Sequence, residues 1–146
     1  MCLERDENIP LYMLSIMKSG NIYIPVLPDT PIERINDIIK ETNTKLIITN
    51  EKYKDKLNFK NNKVEVFYIE NFKNNYFESI KIDEPKYAYI LFTSGTTGKP
   101  KGIKFSHYSL TNGIFNCLSI FPDYNSLYST QITWDPNFRE LFIPLL

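Results

Sequence analysis

Short β-branched and aromatic runs alternate with segments of helical period along this chain of 146 residues. That alternation leaves few architectures open. Residues 46–49 (Leu-Ile-Ile-Thr), 64–69 (Val-Glu-Val-Phe-Tyr-Ile) and 87–92 (Tyr-Ala-Tyr-Ile-Leu-Phe) are short and rich in β-formers, so they read as strands. Residues 22–27, closed by prolines, and 127–133 read the same way, and 103–105 is a further short strand. Between them, residues 9–18 are expected to form a helix stopped by Gly20, and residues 31–42 an amphipathic helix with Ile32, Ile35 and Ile38-Ile39 on one face. Thr30, Pro31 and Glu33 suit the cap, the first turn and the capping box of that second helix. From Ser106 a helix carries Leu110, Ile114 and Leu118 at spacing four, and Asp135-Pro136 opens a last one. Strands separated by helices in this way predict an α/β fold with mainly parallel sheet.

Charge narrows the function. Seventeen Lys and Arg balance seventeen Asp and Glu, which removes the electrostatic basis for holding nucleic acid or an anionic membrane surface. No stretch approaches the ~18–20 consecutive apolar residues of a membrane span. The first seven residues, Met-Cys-Leu-Glu-Arg-Asp-Glu, lack the apolar core of an export signal. Cys2 and Cys117 show no CxxC spacing and His107 is the single histidine, so no metal ligand set is expected. Reduced thiols and a cytoplasmic location follow as expectations. The last helix carries an apolar stripe (Phe138, Leu141, Phe142, Leu145) and the chain stops at Leu146 without a polar tail. A finished domain rarely ends on such a face, so a fragment is expected.

The strongest chemical signal is Thr93-Ser94-Gly95-Thr96-Thr97-Gly98-Lys99-Pro100-Lys101-Gly102. Its glycines allow sharp turns and close approach of backbone to a ligand. Its hydroxyls can donate to anionic oxygens, its lysines supply positive charge, and exposed backbone N–H groups in such loops form an anion-binding concavity. It is not a Walker A loop: Pro100 follows Gly98-Lys99, and no glycine stands five residues before Gly98. By residue type alone the segment is either a phosphate loop or a polar surface hairpin. Asp135 is similarly open, since Asp followed by Pro is an ordinary helix start.

Residues 91–102, Leu-Phe-Thr-Ser-Gly-Thr-Thr-Gly-Lys-Pro-Lys-Gly, resemble almost letter for letter the signature loop of adenylate-forming enzymes, a superfamily of acyl-CoA synthetases, luciferases and the adenylation domains of nonribosomal peptide synthetases. Residues 17–26 (Met-Lys-Ser-Gly-Asn-Ile-Tyr-Ile-Pro-Val) are similar to the Leu-Lys-Ala-Gly-x-Ala-Tyr-Val-Pro motif of the peptide-synthetase branch. Residues 28–35 (Pro-Asp-Thr-Pro-Ile-Glu-Arg-Ile) are similar to the segment that follows that motif. Trp134-Asp135-Pro136-Asn137 resembles the Phe-Asp-x-Ser motif, departing in Trp for Phe and Asn for Ser.

The resemblance implies that residues 1–146 are part of the large N-terminal core of an adenylation domain, truncated at both ends relative to the family. It implies that Thr93, Ser94, Gly95, Thr96, Thr97, Gly98 and Lys101 hold the ATP polyphosphate and that Asp135 pairs with the α-amino group of an amino-acid substrate. His107 stands where family members carry a histidine near the nucleotide, a possible lining residue, and Glu140 matches a common glutamate whose competing reading is a solvent-facing helix charge. The expected reaction forms an aminoacyl-adenylate, releases pyrophosphate and passes the acyl group to the phosphopantetheine thiol of a carrier domain. The magnesium ligand, the ribose-binding Asp and an essential lysine are expected outside these residues, so no catalytic residue and no metal ligand is assigned within them. The 146 residues alone are expected to be inactive. The alternatives are a fragment of an acyl-CoA synthetase, a non-catalytic remnant that at most binds nucleotide, and one half of a split enzyme.

Overall fold

A computed structural model describes residues 1–57, 59, 64–73, 86–93, 101–121 and 126–146. Among these residues four α-helices and four strands follow in the order α1 (Ile9–Lys18), α2 (Ile32–Thr42), β1 (Leu46–Thr49), β2 (Glu65–Tyr68), β3 (Tyr87–Thr93), β4 (Lys101–Ser106), α3 (His107–Ile120) and α4 (Pro136–Phe142). The mixture of helix and sheet is the α/β architecture expected. β1 pairs with β2 in parallel and β3 with β4 antiparallel. Single parallel bridges relate the two pairs: Cys2 lies against both Thr49 and Val26, and Tyr23 against Tyr89.

Local chemistry accounts for most of these elements. α1 presents Ile9, Met13 and Met17 to the interior, and Gly20, at φ 77°, takes the left-handed turn that ends it. α2 buries Ile35, Ile38 and Ile39 and ends on Asn43 in the left-handed conformation, which asparagine tolerates better than other non-glycine residues. β3 is buried on both faces from Ala88 through Leu91, which is why it reads as an unbroken apolar run rather than an alternation.

Two apolar clusters result. The first gathers Met13, Tyr23, Ala88, Tyr89, Leu91, Ile132, Phe138 and Leu141 among others; the second gathers the α2 isoleucines with Val26, Ile47, Leu57 and Phe59. Each fully buried aliphatic or aromatic side chain contributes roughly 1.5–3 kcal/mol. No helix among the described residues is long and apolar enough to cross a membrane.

Four expectations are corrected. Residues 22–27 form no strand. Tyr23 exchanges backbone bonds with β3, donating to the Ala88 carbonyl at 2.9 Å and accepting from the Ile90 N–H at 2.9 Å, while Val26 donates to the Met1 carbonyl. Pro25 has no N–H with which to continue a ladder between them. The capping box at Thr30 is not formed: Pro31 takes the N-cap position, with no side-chain capping bond, and α2 starts at Ile32.

Residues 127–133 also form no strand. Side chains from elsewhere satisfy this backbone. Glu140 accepts from the Ser129 and Thr130 N–H groups, Asn137 Nδ2 donates to the Thr130 carbonyl at 3.1 Å, and Arg5 donates to the Ser129 carbonyl at 2.7 Å. The last helix is also shorter than its apolar stripe: α4 stops at Phe142, a 3-10 turn follows over Ile143–Leu145, and Leu145 is exposed.

Candidate active site

The β3–β4 hairpin is the frame of the site. Its register pairs Phe92 with Gly102 and Thr93 with Lys101, so residues 94–100 connect the two strands at that end. Thr93 and Lys101 are both exposed there. Ser94, Gly95, Thr96, Thr97 and Gly98 lie outside the described residues. Gly102 faces the Phe92 ring closely: a Cβ at residue 102 would stand 3.0 Å from Phe92 Cζ and 3.2 Å from Ile90 Cγ2.

Asp135 sits beside the middle of the same hairpin. The Tyr89 hydroxyl donates to its Oδ1 at 2.7 Å, and Arg139 Nη2 lies 3.9 Å from its Oδ2. The Asp135 side chain makes no capping bond to α4, although it occupies the N-cap position. One carboxylate oxygen is taken by a tertiary hydrogen bond and neither caps the helix, against the capping reading that residue type alone leaves open.

Tyr89 is held by its neighbours. Its ring stacks on Phe138, with centroids 3.7 Å apart, and on Phe105, with centroids 4.5 Å apart. Burial, then the hydrogen bond and charge of Asp135, push the Tyr89 phenol well above its ordinary range. It stays a protonated donor.

Strand geometry sets the spacing. Tyr89, Leu91 and Thr93 share one face of β3, and four residues at ~3.3 Å each put the Tyr89–Asp135 contact about 13 Å from the Thr93 end. His107 begins α3 immediately after β4, at the end of the hairpin away from Lys101 and about 20 Å from it by the same rise. Its Nε2 is buried without a hydrogen-bond partner among the described residues.

Glu140 is not a solvent-facing helix charge. Its Oε2 accepts from the Ser129 N–H at 2.9 Å and from the Thr130 N–H at 2.8 Å, and its Oε1 takes both hydroxyls. Burial opposes ionisation there, but the Thr130 and Ser129 bonds together hold the carboxyl below its usual value. Glu140 thereby fixes the segment that leads to Asp135.

Sequence reasoning missed Tyr89. The one signal for it was a polar-tipped aromatic inside an aliphatic strand, which needs a partner when buried. Nothing local names that partner, 46 residues away. Arg139 was findable, as the residue four beyond an acidic one on a helix. Both cysteines are free, Cys2 buried and Cys117 half-buried. Among the described residues no three His, Cys, Asp or Glu side chains come together to hold a metal ion.

The Gly/Thr-rich sequence between β3 and β4 thus follows a strand whose Tyr89 hydroxyl holds the Asp135 carboxylate. The chain belongs to the AMP-binding enzyme family, whose match covers residues 1–146. Peptide synthetases are among the curated proteins it is similar to. A linear gramicidin synthase polypeptide from Brevibacillus parabrevis is 29% identical over 143 residues, 95% of this chain and 3% of that protein. A mycosubtilin synthase polypeptide from Bacillus subtilis is 32% identical over 143 residues, 95% of this chain and 6% of that protein. The chain thus spans only a small part of the length of such relatives.

Solved structures agree on the fold. A nonribosomal peptide synthetase in its α-methyl-L-serine-AMP-bound form superposes with a TM-score of 0.84 at 18% identity, covering 99% of this chain and 16% of that one. A four-domain nonribosomal peptide synthetase bound to AMP and glycine superposes with a TM-score of 0.78 at 26% identity, covering 99% of this chain and 11% of that one.

Proposed function

We propose that residues 1–146 are part of the N-terminal core of an adenylation domain that activates an amino acid with ATP. A substrate carboxylate oxygen bonds to the α-phosphorus, the bond from that phosphorus to the bridging oxygen of the β-phosphate breaks, and pyrophosphate leaves. The acyl group of the resulting aminoacyl-adenylate then passes to a carrier-domain thiol, with AMP as the leaving group. The observation that carries this reading is the arrangement on β3: a carboxylate anchored at Tyr89, and Thr93 with Lys101 at the end where the Gly/Thr-rich loop joins.

Asp135 takes the substrate ammonium, because an unpaired buried charge is very costly. Thr93 and Lys101, with Ser94, Gly95, Thr96, Thr97 and Gly98, hold the polyphosphate. Both reactants are anions, so positioning and charge neutralisation do most of the work. Magnesium, arriving with ATP, takes up part of the phosphate charge; its protein ligands are assigned to none of the described residues. His107 is kept as a candidate lining residue, and the cytoplasm as the location, where thiols stay reduced.

The similarity to peptide synthetases, together with one related structure bound to AMP and glycine, supports an amino acid over a fatty or aryl acid. The test is ATP–pyrophosphate exchange by the full-length polypeptide that carries these residues. Exchange that depends on an added amino acid, with the KM for ATP raised roughly 10- to 100-fold by Lys101→Ala, is expected from the strength of a charged hydrogen bond, about 1.5–3 kcal/mol. Exchange driven by fatty or aryl acids alone would show the acyl-CoA synthetase alternative instead.

A further inference from the structure

Asp135 is held from one side. Tyr89 is 2% exposed, and its ring lies between Phe105 and Phe138 with interplanar angles of 10° and 18°. A ring clamped on both faces cannot swing, so its hydroxyl is a fixed point. That hydroxyl occupies Oδ1 of Asp135 at 2.7 Å. Among the described residues Oδ2 has no hydrogen bond. It faces Arg139 Nη2 at 3.9 Å, in a pair with both side chains substantially exposed, 58% for Arg139 and 43% for Asp135. Solvent-exposed pairs at such separations hold little. The carboxylate therefore has one oxygen tied down and one oxygen free to take a cation.

We propose that Tyr89 is a positioning residue for substrate recognition: by fixing Oδ1 of Asp135 it presents Oδ2 to the substrate ammonium, and so selects acids that carry an amino group. The proposal rests on the assignment of Asp135 made above. Tyr89 touches neither substrate nor reacting atoms. It acts through the carboxylate, whose orientation is set before the substrate arrives, and preorganisation of this kind is expected to appear in recognition of the amine and not in the handling of ATP.

The test uses Tyr89→Phe and Asp135→Asn in the full-length polypeptide, read by ATP–pyrophosphate exchange. Tyr89→Phe keeps both ring stacks and removes only the hydroxyl; Asp135→Asn keeps an acceptor for Tyr89 and removes the charge. For Tyr89→Phe the expected result is a KM for the amino acid raised about tenfold, an unchanged KM for ATP, and a similar loss of preference over the same acid without its amine. Melting temperature should stay within a few degrees of wild type.

An unchanged amino-acid KM in Tyr89→Phe, with exchange lost in Asp135→Asn, would overturn the role of Tyr89 and leave that of Asp135 standing. Equal rises in both KM values, with preference for the amine intact, would make Tyr89 a packing residue and overturn the proposal. Wild-type amino-acid KM in Asp135→Asn, or no amino-acid-dependent exchange at all, would overturn the proposal together with the assignment beneath it.

Discussion

Phe138 lies face to face with Tyr89, ring centroids 3.7 Å apart and planes 18° from parallel, while the Tyr23 ring meets Phe138 edge-on at 6.0 Å. One ring from α4 thus joins β3 to the segment that bridges it. Phe138→Ala should cost about 3–5 kcal/mol, since the cavity would open at the centre of the first cluster. Phe138→Leu should cost clearly less. Chemical denaturation of the two variants checks the order, and equal costs would mean that α4 is not seated on β3 in this way.

Gly102 is a packing glycine. A Cβ there would meet the end of the Phe92 ring at 3.0 Å, and that ring must shift by a few tenths of an ångström to admit it. Gly102→Ala should cost under ~1 kcal/mol, within the range of mild substitutions, whereas Gly102→Val should cost about 1–3 kcal/mol by overpacking. Adding Phe92→Leu to Gly102→Val should recover part of the loss. A double-mutant cycle measures it, and strict additivity would refute the contact.

Glu140 should protect two backbone amides. In Glu140→Gln, hydrogen exchange at Ser129 and Thr130 is expected to speed up while exchange within β3 stays slow. The pH dependence has a definite sign. A carboxyl held below its usual 4.5 in the fold contributes stability that is present above that value and is lost as pH falls through the depressed one. The wild-type polypeptide should therefore lose protection at these amides below about pH 4.5, and Glu140→Gln should show no such acid-dependent step.

The two Asp/Ser helix starts should behave differently. Ser106 Oγ accepts from the Ser109 N–H at 3.0 Å, so Ser106→Ala should cost about 1 kcal/mol, within the usual 0.5–2 for a lost cap. Asp135 makes no capping bond to α4. Asp135→Asn, which keeps an acceptor for Tyr89, should leave the melting temperature nearly unchanged and lose activity. Destabilisation of α4 comparable to that of Ser106→Ala would return Asp135 to the role of a cap.

What could be read from the chain follows how local each cause is. α1 and α2 were legible because their apolar spacing, Gly20 and the start near Pro31 act within a few residues. β1, β2 and β3 were legible as β-rich runs between turn formers. Residues 22–27 carry the same composition, but proline denies them a ladder. Residues 127–133 look like a strand, yet their backbone is satisfied by Glu140, Asn137 and Arg5, none of which a local pattern can nominate.

The site divides the same way. The Gly/Thr-rich segment and Asp135 were visible as residues, and the pairing of Thr93 with Lys101 agrees with a loop held at both ends. What argues against a cap for Asp135 is that its side chain bonds the phenol of Tyr89, a partner 46 residues away, and makes no capping bond. Burial and sheet packing bring it there, and neither leaves a mark near Asp135 in the sequence.

On the proposed function, the carboxylate anchored at Tyr89 selects an amino acid for adenylation. The most direct test is ATP–pyrophosphate exchange by the full-length polypeptide, with the preferred amino acid set against the same acid lacking its α-amine. A preference of about 100-fold or more in kcat/KM is expected, since a site that pairs a substrate's amino group rejects the analogue lacking it. Equal exchange with the amine-free acid would contradict the account.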